Sequence, residues 1–513
     1  MPVTSILTFL ALLVSPGNTH PDRDTVDIST TYTIDFAAAK GAIKKVNGVN
    51  GGPLSTGDWL DHSLFFKEID PPGIRLHDAM WPGEVVDIHK IFPDFEKDPQ
   101  DPASYVFKDT DKYLQAVVGT KAEILYRLGH SAGDFGYGAG WPYPGKKPGD
   151  LQPKDFEKWI AICHGIIKHY NEGWANGFHY NITKWEIWNE ANVKGWWNGA
   201  PLEFYRLYEQ FALETKSKWP GLKIGGFGWV YPDPGFTEKV SASANGFVDG
   251  FLQYCSRNKV PLDFVSWHSY VCWPESIPFR SREVRAKLAS FGLPNVEDYL
   301  DEWSITALLE SDYGYLFDAR SDPSRRRIGF DLRHGASGAA GAACILALLQ
   351  DCGTSEAYYY SADANPFGMF DIYGSPYKNF YAFKAFSIFS GCSQRVSVDY
   401  VKTLACASDK FDRMISYSKS GIRGFGILAS SSPDHDSSNI LLSNYNNNCS
   451  EYVLRLKDLP GNWTMNEMTL NDRKDLEESS KTPLPSDHSL KVYCPPGTVI
   501  LIQLKRVPPG SLF

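Results

Sequence analysis

The chain lacks any long basic run: 51 Lys and Arg stand against 60 Asp and Glu, a formal net charge of −9. Phosphate backbones are gripped by grouped Lys and Arg, so this balance argues against a nucleic-acid partner. Long apolar runs are missing as well. Ile6 to Val14 and Gly335 to Leu349 both fall short of the roughly 20 residues that a bilayer span needs. With Ser15-Pro16-Gly17 behind it, the first run fits a secretory signal peptide over residues 1–19, although no Lys or Arg precedes it. A secreted protein without a membrane span is the expectation. Neither Cys-x-x-Cys nor His-Glu-x-x-His occurs, and His77-Asp78 has no matching ligands elsewhere, so no metal and no cofactor is expected. Internal repeats and low-complexity tracts are absent too.

Cysteine is scarce and odd in number, nine in all. Cys163 shares one helical face with Phe156, Trp159, Ile160 and Ile167, and is expected free and buried. Among the rest, Cys344 with Cys352, Cys392 with Cys406, and Cys449 with Cys494 are close enough in sequence to suggest disulfides. What is present is an ordinary globular composition of 513 residues, 43% hydrophobic and 22% charged. Aromatics are plentiful at 14%, with 15 Trp and 27 Tyr. Sugars offer apolar C–H faces to exposed rings, so this excess leans towards carbohydrate. Acceptor sequons at Asn181, Asn448 and Asn462 are compatible with secretion.

Short strand-like runs follow one another along the chain. They are Gly48–Leu54, Gly73–Asp78, Glu123–Gly129, the run from Lys184, Lys223–Gly228, Leu262–Tyr270, the run from Glu297 to Glu302, and Glu356–Ala362. Helical patterns separate most of them, including Pro153 to Tyr170 and the Gly- and Ala-rich run ending at Gln350. Eight strands alternating with helices describe a (β/α)8 barrel over residues 47–392. From about Arg395, Gly421–Ala429, Asn439–Leu442, Glu451–Leu456 and Thr498–Lys505 are split by Ser, Asn, Asp, Pro and Gly. These predict an all-β, sandwich-like domain over 393–513. The run Thr25–Phe36, in the segment 20–46, is expected to pair with it, because a lone strand needs a sheet.

The chemistry is carried by two of these runs. In Lys184-Trp-Glu-Ile-Trp-Asn-Glu190, apolar and polar residues alternate until the run breaks at Ala191, which places Glu190 at a strand's C-terminal mouth. A second acid, Glu302, ends Glu297-Asp-Tyr-Leu-Asp-Glu-Trp303. Catalytic side chains of barrels gather at such mouths, and two carboxylates on separate strands fit a retaining glycosidase, whose carboxyl groups lie about 5–5.5 Å apart. Asp301 is the rival for the second role; strict alternation would send it to the face opposite Glu302. Arg75, between Ile74 and Leu76 in a buried strand, calls for an ionic partner, which a carboxylate nucleophile would be. The loop 131–150, with Tyr137, Trp141 and Tyr143, is too aromatic for a mere linker.

Trp185-Glu-Ile-Trp-Asn-Glu-Ala-Asn192 with Trp196-Trp197, Arg75-Leu-His77, Ser266-Trp-His-Ser-Tyr270 and Asp301-Glu-Trp303 together resemble glycoside hydrolase family 39, over roughly Gly48 to Ser390. That family includes β-xylosidases and α-L-iduronidases. The resemblance implies Glu190 as acid/base, Glu302 as nucleophile, Asn189 on the sugar 2-hydroxyl, Arg75 and Tyr270 touching the nucleophile, and His268 as a pocket wall. Ala191 stands where the family usually has Pro. His77 and His130 read equally as sugar contacts or hydrogen-bonded wall residues, and Trp141, Trp196, Trp197 and Trp303 as rings against the substrate. The expected activity is that of a retaining exo-glycosidase on oligosaccharide or polysaccharide, with β-xyloside ranked first. Uronic acid, galactose or arabinose residues come next, with Lys194 and Arg127 available for a uronate. A barrel that binds carbohydrate without cleaving it, or an adhesive scaffold, is the competing class.

Overall fold

The computed structural model describes residues 31–55, 60–79, 84–131, 152–231, 238–305, 323, 329–330, 333–400 and 424–508. Its centre is a closed barrel of eight parallel strands: Gly48–Asn50, Gly73–Leu76, Glu123–Leu128, Lys184–Ile187, Lys223–Val230, Phe264–Val271, Glu297–Ile305 and Glu356–Tyr359. Each pairs with its sequence neighbour, and Tyr358 and Tyr359 of the eighth close the ring on Gly48 and Val49 of the first. All eight strands expected from the sequence are present, several ending a few residues early or late.

Period-two alternation fills the barrel in layers. Leu125, Phe264, Tyr299 and Tyr358 form a small apolar cluster inside it. Two residues further along those strands come Arg127, Ser266 and Asp301, beside Arg75 and Glu186. At the opposite end Lys184 is bridged to Glu123 and Glu356. Outward residues such as Ile74, Trp185, Trp267 and Leu300 join the core under the helices. The helix Phe156–Glu172 begins later than expected because the Asp155 carboxylate accepts from the Lys158 amide, and it ends where Gly173 turns to a φ of 73°. Cys163 is free and buried in it, as expected.

Beyond the barrel, hydrogen bonds join nine strands into one sheet rather than two separate ones. Thr31–Ala42 is an inner strand, seventh in the order, antiparallel to Gln394–Tyr400 and parallel to Glu451–Lys457. The sheet folds over its own core, in which Phe425 stacks on Tyr452 with centroids 4.3 Å apart. The central strands Phe425–Ser431, Ser437–Asn444 and Thr498–Arg506 bury both faces: Ile440, Leu442, Ile500 and Ile502 inward, Leu428, Leu441, Val499 and Leu501 against the barrel. Between barrel and sheet runs the helix Ala336–Leu348, whose small residues permit a close approach. A Cβ on Gly341 would lie 2.5 Å from Ile305 Cδ1, and the Ser443 hydroxyl donates to the Ala340 carbonyl.

The disulfide expectation fails. All eight described cysteines are free thiols, and Cys406 lies outside the described residues. Nearness in sequence does not aim side chains: Cys344 faces Gly426 of the sheet, whereas the Cys352 thiol turns to the Leu348 carbonyl. Likewise the Cys449 thiol points at the Glu451 carbonyl while Cys494 is buried in the sheet core. The signal segment, Trp141 and its loop also fall outside the described residues.

Candidate active site

The fourth strand stops at Ile187, three residues before Glu190, and the chain turns there through left-handed backbone at Trp188 (φ 70°) and Glu190 (φ 50°). The turn is fixed where the Glu190 amide donates to the Phe227 carbonyl on the next strand, at 2.8 Å. Glu190 is therefore aimed by a loop, not by the strand alternation expected for it. Its Oε1 lies 2.7 Å from His268 Nδ1, whose ring also stands 3.3 Å from Glu302 Oε2. Gly228 makes room for that imidazole, since a Cβ there would sit 2.5 Å from His268 Nε2. The facing oxygens of Glu190 and Glu302 and the His268 nitrogen all lie within 4.8 Å of one another.

The seventh strand departs from simple alternation. Leu300 pairs with Trp267 and Glu302 with His268, so Asp301 is an extra residue, a bulge. Asp301 and Glu302 consequently both face inward, which corrects the expectation that only one could. Both meet Arg75, at 2.9 Å from Nε and 2.7 Å from Nη1. Arg75 also donates to Glu186 (2.6 Å), Asn50 (3.2 Å) and Asn189 (2.8 Å), and is fully buried. The Ser266 hydroxyl donates to the other oxygen of Glu186 at 2.5 Å. Sequence reasoning asked for one ionic partner of Arg75 and missed Glu186, whose inward parity was visible, and Asn50, whose role depends on barrel closure.

Burial sets the titration of the two acids. Glu190 is held well above the carboxylate range by burial, then by Glu302 and Asp78, against the pull of Arg75. Burial also pushes Glu302 up, to about 7, while Arg75 and the Tyr270 hydroxyl draw it down. Tyr270 donates to Glu302 Oε2 at 2.5 Å. Glu302 therefore ionises before Glu190. His268 is pushed well below its usual range by burial and Arg75, so the neutral ring offers a lone pair to one neighbour without adding charge. His77 is kept neutral in the same way; its Nδ1 accepts from Arg127 Nε at 3.1 Å, which leaves Nε2–H facing Glu302 Oε1 at 3.3 Å.

Other expected contacts divide. Asn189 is buried with its Oδ1 on Arg75, so its amide nitrogen remains for a ligand. Trp196 is half-buried at the rim, its ring 6.3 Å from that of His77. Trp197 and Trp303 are core rings, not substrate rings. Trp197 packs edge-on against Trp188 and Phe204, and Trp303, the outward neighbour of Glu302, packs on Tyr359 and Phe383. His130 is buried behind the site, bonded to His89 at 2.9 Å and set edge-on to Trp188. Among the described residues, two donor groups are compact enough for an ion, Asp87 with His89 and His130, and Glu190 with His268 and Glu302. In the first, the Asp87 oxygens already take Arg127 and Ser131, and the two histidines take each other. In the second, Glu302 is already held by Arg75 and Tyr270.

Residues 74–285 match the family model described as glycosyl hydrolases family 39. The chain is similar to a beta-xylosidase of Geobacillus stearothermophilus, 31% identical over 121 residues, which is 23% of this chain and 21% of that protein. It is also 22% identical over 290 residues to a beta-xylosidase of Caldicellulosiruptor saccharolyticus, 51% of this chain and 53% of that one. The matches thus span between about a fifth and half of these relatives' lengths. In fold it resembles a glucosidase from Croceicoccus marinus, with a TM-score of 0.70 at 22% identity over 94% of this chain and all of that one. A monomeric beta-xylosidase from Caulobacter crescentus gives a TM-score of 0.64 at 14% identity, over 93% of this chain and all of that one.

Proposed function

We propose, from the match of residues 74–285 to the family model of glycosyl hydrolases family 39 and from the geometry of the site, that the protein is a secreted, retaining exo-glycosidase whose first-ranked substrate is a β-xyloside. The observation that carries this is the pair of carboxylates, Glu190 and Glu302, with facing oxygens inside 4.8 Å. Inverting enzymes keep their acids roughly 6.5–9.5 Å apart to admit a water, whereas a covalent double displacement needs the shorter gap. Glu302, which ionises first, attacks the anomeric carbon. Glu190, held protonated, gives its proton to the departing oxygen and then takes one from water as the glycosyl ester is cleaved. Arg75 and Tyr270 aim the attacking carboxylate, and the free amide nitrogen of Asn189 is positioned for the 2-hydroxyl.

The xyloside ranking draws on the names of the two curated relatives. Secretion draws on the signal-like start and on Asn181, Asn448 and Asn462, all exposed. A uronate is less well served, because Arg127 is fully buried against Asp87 and His77 and Lys194 is exposed on its loop. The test is proton NMR of the first sugar released from an aryl β-xyloside: the β-anomer is expected, and the α-anomer would overturn the mechanism. Glu302→Ala should abolish turnover, and azide, taking the missing carboxylate's place, should yield the α-glycosyl azide.

A further inference from the structure

A third carboxylate faces the same pocket. Asp78 follows the second strand by two residues, and its left-handed backbone (φ 49°) turns the side chain over the barrel mouth. Tyr360, just past the eighth strand, donates to Asp78 Oδ2 at 2.7 Å. His77 Nε2 lies 3.4 Å from that same oxygen and 3.3 Å from Glu302 Oε1, so a single imidazole nitrogen separates Asp78 from Glu302. Asp78 Oδ1 is buried and has no hydrogen-bond donor among the described residues. The Ser131 hydroxyl is close enough to draw Asp78 down, but its hydrogen bond goes to Asp87 Oδ1 at 3.0 Å.

A buried carboxylate oxygen is costly unless a donor meets it. Sugar hydroxyls are such donors, and a sugar lying between Glu190 and Glu302 would bring them alongside. We propose that Asp78 is a specificity-determining residue: its Oδ1 accepts from a ring hydroxyl of the bound glycone, and its charge favours a neutral sugar over a uronate. This rests on the glycosidase reading and names the class of sugar for it. The cations support it. Arg75 is committed to Asn50, Asn189 and three carboxylates, and Arg127 holds Asp87, Ser131 and His77 through Nε and Nη2, with Nη1 buried. A sugar carboxylate here would meet Asp78, Glu190 and Glu302, with Arg75 already held by acids. The closeness of Asp78 to both acids agrees, since it pushes Glu190 and Glu302 upward.

The experiment compares wild type, Asp78→Ala and Asp78→Asn on 4-nitrophenyl β-xyloside, its 2-, 3- and 4-deoxy analogues, and the β-glucuronide, with melting curves confirming that each variant is folded. Loss of a hydrogen bond to a charged acceptor should lower kcat/KM on the xyloside about 10- to 100-fold in Asp78→Ala. On one deoxy analogue the two proteins should converge to within about twofold. In Asp78→Asn the glucuronide-to-xyloside ratio should rise at least about tenfold, since a like charge has been removed. An equal loss on every analogue, an unchanged ratio, or a wild type that prefers the glucuronide overturns the proposal and leaves the glycosidase reading standing. Calorimetric binding of xylose and glucuronate separates the two ideas. Xylose-selective binding that is lost in Asp78→Ala, without any cleavage, would sustain the proposal and sink the glycosidase reading; no binding and no cleavage would sink both.

Discussion

Tyr270 touches one oxygen of Glu302, and that contact makes the pH profile readable. Glu302 must be ionised to attack, so kcat/KM falls as the pH drops through its pKa, which burial has pushed up to about 7. Tyr270 lowers that pKa, so Tyr270→Phe should move the acid limb to higher pH while leaving the alkaline limb, set by Glu190, nearly in place. A steady-state profile across the neutral range checks this, and an acid limb that stays put would separate Tyr270 from the nucleophile. The tryptophans give a second contrast. Trp303→Ala empties a fully buried site and should cost about 3–5 kcal/mol in urea unfolding. Trp196→Ala, at the rim, should cost under about 1 kcal/mol yet raise KM for the aryl xyloside several-fold. The pair Glu190 and Glu302 and the need for an acid near Arg75 were legible in the sequence, because each acid closes a strand-like run and charge is a local property, although simple alternation aims neither of them. The separate fates of Trp196 and Trp197 were not. Adjacent residues on a loop take directions set by what the loop packs on, here Trp188 and Phe204 beneath Trp197.

Among the elements, the seventh strand shows where alternation stops being a guide. Its bulge is a property of the ladder, since only the pairing of Leu300 with Trp267 and Glu302 with His268 reveals Asp301 as supernumerary. A single strand's sequence cannot display its partner's register, so the inward turn of both acids was hidden. The opposite holds for Ala336–Leu348. Its Gly- and Ala-rich run already read as a helix, and the structure wedges it between barrel and sheet. Gly341→Leu should overpack it against Ile305, costing about 1–3 kcal/mol and lowering the melting temperature while the xyloside KM stays within about twofold. An unaltered melting temperature would mean that the two layers are less tightly pressed than described.

For the molecule as a whole, barrel and sheet share one apolar layer, formed by Leu428, Leu441, Val499 and Leu501 against the barrel side. Calorimetry of the full chain should therefore show one cooperative transition, and two resolved peaks would show that the layers melt independently. A fragment ending at residue 392 should aggregate, because that layer would be bared to water. The barrel was legible from eight periodic runs; the single continuous sheet was not, since hydrogen bonds between distant strands leave no mark on either one. The strand Thr31–Ala42 lies between partners that begin at Gln394 and Glu451, more than three hundred residues later. On a translating ribosome this strand emerges ahead of both partners and waits, unmated, until they follow. Completion of the sheet thus has to wait for segments far downstream, which draw this strand into place between them.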